Sequence, residues 1–232
     1  MEFFTNKIFL LALTFVIFIG AQWLMRRTGL RLLNPILISI IVMICILFGL
    51  GVDFETYSEA GTYIDMWLKP AVVALGVPLY KQLETIKKQM FPLIIAEMAG
   101  CVAGVISVVF FAELFGATRE VVMSLAPKAV TTPIAMEISQ SVGGIPSLTA
   151  AVVVSTGIFG GMTGFKIVKL GHVKSPIATG LSLGTAAHAI GTSAAMEKSD
   201  RYGAFSSLGL TINGLLTTLL APFILQIMGY AV

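Results

Sequence analysis

Apolar residues in this chain run on for longer than the strands or amphipathic helices of a water-soluble domain require. Ile8–Met25 holds no charged residue and stops at Arg26-Arg27. Leu32–Val52 is a second run, entered through Asn34-Pro35. An acidic stretch follows, with Asp53, Glu55, Glu59 and Asp65, and then Trp67–Tyr80, short and interrupted by Pro70 and Pro78. Pro92–Phe115, Ile145–Phe165, Pro176–Met196 and Ala204–Met228 complete the series. A helix crosses a bilayer core with about 20 apolar residues, so the pattern predicts an all-α polytopic membrane protein of about six to eight membrane segments.

Two segments break the pattern. Val121–Ser139 contains Pro127, Lys128, Thr131, Thr132 and Pro133. Pro176–Met196 is apolar but rich in Gly, Ala and Thr, with His188 near its middle. Loop charge suggests how the first is threaded. Lys and Arg collect on the cytoplasmic side. Arg26, Arg27 and Arg31 therefore place the first loop inside and the acidic loop outside. Lys81, Lys87 and Lys88 lie inside, and so do Lys166, Lys169 and Lys174. Only one net crossing then fits between Phe115 and Lys166, so residues 119–142 are expected to dip in and return on the same side, and Ile145–Phe165 to make the crossing.

The two broken segments resemble each other. Residues 126–148, APKAVTTPIAMEISQSVGGIPSL, and residues 186–208, AAHAIGTSAAMEKSDRYGAFSSL, share ten of 23 positions at a spacing of 60. Lys128 aligns with His188. This predicts two units, 92–151 and 152–211, each a helix plus a re-entrant segment and inverted with respect to each other. Residues 1–91 would be an N-terminal scaffold, 92–232 the repeat-containing core, and 212–232 the end of the last span. Transporters are often built from such repeats, with midplane sites at broken helices.

The composition agrees with a chain solvated partly by lipid: 56% of the 232 residues are hydrophobic and 12% charged. A formal net charge of +3 gives no nucleic-acid patch. Cys45 and Cys101 read as small buried hydrophobes. The uncharged run before Arg26-Arg27 lacks a cleavage site and is read as a retained first span.

The candidate site follows from the cost of charge at membrane depth, which usually marks a pathway. Lys128, beside helix breaks and the hydroxyls of Thr131 and Thr132 next to Pro133, suits a carboxylate. His188 occupies the matching place, with Thr192 and Ser193 as further donors and Thr185 nearby. Gly143, Gly144 and Gly191 would permit tight backbone bends. Glu97 and His188 are candidates for proton coupling, and Glu97 also for pairing with Lys128. Glu137 and Glu197 read as capping or pairing acids, and Asn213 as a weaker polar candidate. No hydrolase elbow, P-loop, dinucleotide fingerprint or metal triad is present, so neither an enzyme nor a cofactor is expected.

The stretches PKAVTTPIAMEIS, GGIPSLTA, GLSLGTAAHAIGTSAAMEKS and GAFSSL resemble the LrgB/CidB family, and the likeness extends from about Leu33-Asn34-Pro35 through PAVVALGVPLY to the last span. Ala129 departs from the serine more usual there. The resemblance implies a multi-pass protein of the bacterial plasma membrane with two possible roles. One is a holin- or antiholin-like regulator of murein hydrolase activity, autolysis and programmed cell death. The other is a transporter of small monocarboxylates such as glycolate, glycerate or pyruvate, as in a similar plant plastidial translocator. It also implies a small LrgA/CidA-type membrane partner and, with the Gly-rich faces, a homodimer or larger assembly.

Overall fold

The computed structural model describes residues 5–29, 34–67, 70, 73–74 and 76–230. Arg31, the Leu32-Leu33 start of the second apolar run and parts of Trp67–Tyr80 lie outside the described residues. No strand occurs among the described residues. The chain divides into two compact units, Met1–Ala74 and Leu75–Val232.

The first unit holds α1 (Lys7–Thr28), α2 (Pro35–Leu50) and α3 (Phe54–Asp65). Each begins at a side chain that accepts the orphan amides of the first turn. Asn6 takes Ile8 N at 2.9 Å, Asn34 takes Ile36 N at 2.9 Å, and Asp53 takes Thr56 N at 2.8 Å. Pro35 follows Asn34 at the start of α2, where its missing N–H costs nothing. Leu10, Met43, Leu47 and Ala60 form the small core. An apolar cavity of about 520 Å³ opens among these helices, and no charged residue lines it.

The hydrogen bonds from Thr56, side chain first and then amide, hold the Asp53 carboxyl below its ordinary range. A depressed carboxyl stabilises the fold above its unfolded pKa, about 3.9, and that contribution is lost as pH falls through the lower folded value. Acidification below about pH 4 is therefore expected to loosen the first turn of α3. Amide exchange at 54–56, corrected for its intrinsic pH dependence, should rise there, and Asp53→Asn should flatten the profile. An unchanged profile in the variant would place the pH response elsewhere.

The second unit holds α4 (Gly76–Lys81), α5 (Leu83–Lys88), α6 (Met90–Leu114), α7 (Arg119–Leu125), α8 (Thr132–Ser141), α9 (Pro146–Leu170), α10 (Pro176–Lys198) and α11 (Asp200–Ile227). The short α4 and α5, grouped with the N-terminal segments in the sequence reading, fall in this unit. Among the described residues four helices, α1, α6, α9 and α11, are long and apolar enough to cross a membrane, and α2 is a shorter apolar helix. Large apolar side chains such as Phe110, Phe111, Phe159 and Leu219 point outward. In water this would be an aggregating surface, whereas in lipid it is matched. The interior mixes apolar side chains such as Val105, Val122, Ile138 and Phe205 with small polar ones, Ser124, Ser139, Thr149, Thr192, Ser206 and Thr217, all buried.

Two parts of this unit fold back on themselves. α7 and α8 are joined by the turn 126–131, and Ser124 comes to lie beside Ser139. The Thr149 hydroxyl is 2.9 Å from the Ser124 carbonyl and 2.7 Å from the Ser139 hydroxyl. Ile145 N donates to Ser124 Oγ at 2.7 Å. α10 is broken at Ala187 (φ −132°, ψ 16°) and His188 (φ 40°, ψ −134°). A side chain at Gly191 would collide with the Leu183 carbonyl, eight residues earlier. Residues eight apart in a straight helix are about 12 Å apart along the axis, so the two arms form a hairpin.

Glycines set the spacing of the second hairpin. Its first arm runs beside α11, where a Cβ on Gly180 would sit 2.6 Å from the Tyr202 carbonyl and one on Gly184 would collide with the Ser206 carbonyl. Its second arm runs the opposite way, with Met196 against Gly203 and Thr192 bonded to Ser206 at 3.0 Å. Gly160 and Gly164 of α9 receive Ala187 and Leu183. α11 begins at Asp200, capped by Ser199, rather than at Ala204. At the other end of α11, Tyr230 donates to Glu113 Oε1 at 2.6 Å. Burial first, and then the bond and charge of Glu113, push this phenol up to about 12.

Candidate functional site

The hairpin tips lie at the level of the helix centres. Ala187 and His188 pack on Gly160 and Gly157, midway along α9. The turn 126–131 meets Asn213, midway along α11, whose Nδ2 donates to the Ala129 carbonyl at 3.1 Å. The same nitrogen donates to the Thr185 carbonyl of the second hairpin, also at 3.1 Å. One buried amide thus brings the two broken segments together.

At the first tip the donors have no partner among the described residues. Lys128, Thr131 and Thr132 are half-buried, and Pro133 is exposed. Thr131 sits at the N-cap position of α8 but its hydroxyl makes no cap bond. The ammonium of Lys128 has no ion-pair partner among the described residues. Glu97 does not pair with it, contrary to one expectation from the sequence. Instead Glu97 Oε1 accepts from the Thr185 hydroxyl at 2.5 Å, and its buried Oε2 has no partner among the described residues. Tertiary packing decides this, because the α6 carboxyl faces the first arm of the second hairpin.

At the second tip the polar groups are spent on structure. His188 is 3% exposed, and its Nε2 is 2.9 Å from the Val153 carbonyl. A Cβ at Gly157 would sit 2.5 Å from the imidazole, so the ring occupies the space that this glycine leaves. Thr192 donates to the His188 carbonyl at 2.9 Å, and the exposed Ser193 to the Ala189 carbonyl at 3.1 Å. Gly191 is buried in the fold of the hairpin. Gly143 and Gly144 carry the chain from α8 into α9. Gly143 has φ +83°, and Gly144 N donates to the Ser139 carbonyl at 2.7 Å. Glu137 and Glu197 are exposed and make no ion pair among the described residues.

Asn213 is the residue whose importance the sequence understated. The available signal was an uncharged but fully hydrogen-bonding side chain at the centre of an apolar run, where it must find partners. Around it, Thr217 Oγ1 lies 3.4 Å from Asn213 Oδ1 and 3.3 Å from Cys101 Sγ.

No solved structure matches this chain. Among proteins, the holin-like protein CidB of Staphylococcus epidermidis is 31% identical over 97% of this chain and 98% of its own length. The antiholin-like protein LrgB of Bacillus cereus is 34% identical over 91% and 92%. YxaC of Bacillus subtilis is 35% identical over 94% of each chain. With four apolar spans, these bacterial relatives make the chain a multi-pass membrane protein of bacteria. The LrgB-like family model matches residues 14–227, and the chain belongs to that family.

Proposed function

We propose that this protein carries small monocarboxylates across the membrane by alternating access at the meeting point of its two hairpins. The observation that carries the reading is the first tip. There the Lys128 ammonium and the hydroxyls of Thr131 and Thr132, without partners among the described residues, belong to one turn that leads into the start of a helix. A three-carbon hydroxy- or keto-acid needs one cation and a few donors in a small space, and this tip offers them. The breaks at 126–131 and 187–188 fall at matching places of the 60-residue similarity, which supports an inverted repeat with re-entrant hairpins entering from opposite faces. Glu97, buried with no cation beside it and bonded to Thr185, carries the coupled proton in this scheme.

The names of the relatives favour a second reading, a holin- or antiholin-like regulator, which the family resemblance pairs with an LrgA/CidA-type partner. A simple pore has no use for an amide that bridges two hairpin tips, which is why the geometry favours transport. The discriminating measurement is uptake of labelled glycolate, glycerate, pyruvate and lactate into proteoliposomes, with and without a pH gradient. Saturable, gradient-stimulated uptake is expected. Its absence from well-folded protein, alone and with an LrgA-type partner present, would transfer the function to the regulatory reading.

A further inference from the structure

The Ala129 and Thr185 carbonyls are orphaned by the breaks themselves. The residue four after Ala129 is Pro133, which has no N–H to give. The residue four after Thr185 is Ala189, carried out of helical register by the turn at Ala187–His188. An unsatisfied carbonyl at membrane depth is costly. Asn213, 1% exposed, satisfies both from one nitrogen, and its own oxygen faces the Thr217 hydroxyl. A short neutral side chain with two donors on one atom and an acceptor beside it is asparagine alone: leucine has none, serine and threonine one donor, and ionised aspartate none.

We propose that Asn213 is a latch holding both hairpin tips at the midplane, and that each transport cycle releases the tips from it one at a time. This rests on the alternating-access reading for its role in turnover, but not for the coupling of the tips. In this assignment Asn213 is a positioning residue; it acts on the tips and leaves substrate contact to Lys128.

The test is hydrogen–deuterium exchange of the full chain in lipid nanodiscs, comparing wild type with Asn213→Leu. Each tip loses about one net hydrogen bond, so exchange in 126–131 and in 185–191 should both quicken by about fivefold to tenfold while α9 stays unchanged. Either tip left at its wild-type rate would overturn the latch. Should Asn213→Leu not fold, the isosteric Asn213→Asp serves. Neutral it has one donor and ionised none, so at least one tip must quicken, and full protection of both overturns the proposal. Proteoliposome uptake adds a readout that a merely structural role does not predict. With a bond that must break each cycle removed, turnover per folded protein should rise about fivefold, with KM held within about twofold. A fall in turnover at intact fold would reduce Asn213 to a packing residue. Wild-type protein that moves no carboxylate would refute the transport reading, while the exchange data would still decide whether one amide holds both tips.

Discussion

Lys128→Met is expected to abolish saturable carboxylate uptake while leaving the protein at least as stable as wild type. The two halves of this result have one cause. The ammonium is half-buried at the first tip and has no ion-pair partner among the described residues. An uncompensated charge at that depth works against folding, so a methionine of similar length relieves a cost. A bound carboxylate would lose its counter-ion. Truncating one partner of a buried, hydrogen-bonded charge pair costs about 2–5 kcal/mol, or about 30-fold to several thousand-fold in affinity. Uptake kinetics and a melting curve on the same preparation check both halves. Unchanged uptake would move the site away from the first tip, and a large loss of stability would show that Lys128 is structural.

Gly184→Ala should have the largest effect on folding. A Cβ there would collide with the Ser206 carbonyl and sit 2.8 Å from Leu210 N, both backbone atoms of α11. A flexible side chain could swing aside, but two helical backbones must separate. Overpacking in a well-filled core costs about 1–3 kcal/mol, and more where backbone is the obstacle. The first arm of the second hairpin would be pushed off α11, and the Asn213–Thr185 bond would go with it. Thermal unfolding followed by fluorescence size-exclusion should show a lower melting temperature and poor recovery. Gly104→Ala is the control, because nothing lies within 4 Å of a Cβ there, so only the helix-propensity gain of about 1 kcal/mol applies. Equal behaviour of the two variants would contradict the packing described for α10 and α11.

The spans were readable because hydropathy over some 20 residues reports the solvent directly. The two breaks were readable because Pro127, Pro133 and a histidine amid small residues are poor helix formers with few other uses at that depth. What the broken segments touch was much less legible. His188 looked available to a ligand, yet it spends its Nε2 on the Val153 carbonyl. Backbone partners leave no trace in residue identity. Glu97 and Lys128 suggested an ion pair because opposite charges in one apolar chain invite it, but helix rotation turned the carboxyl toward Thr185. Asn213 lies 84 residues from Ala129 and 28 from Thr185, and no local periodicity relates the three. The start of α11 was misplaced by four residues because the apolar run begins at Ala204, whereas Ser199 caps the helix at Asp200.

The depth of the hairpin tips has an electrical consequence. Each arm of the second hairpin is about ten residues, so it reaches about 15 Å, half of a hydrocarbon core of about 30 Å. A charge at the tips stands near the middle of the transmembrane field. Bringing one elementary charge there from either surface crosses half of a potential worth about 2.3 kcal/mol per 100 mV, that is, about 1.2 kcal/mol. In the proposed transport cycle, binding of a monoanion at the tips would therefore be biased by membrane voltage from both sides, with opposite signs. A resting potential negative inside would favour filling from the cytoplasm and disfavour filling from outside, whatever a coupled proton adds.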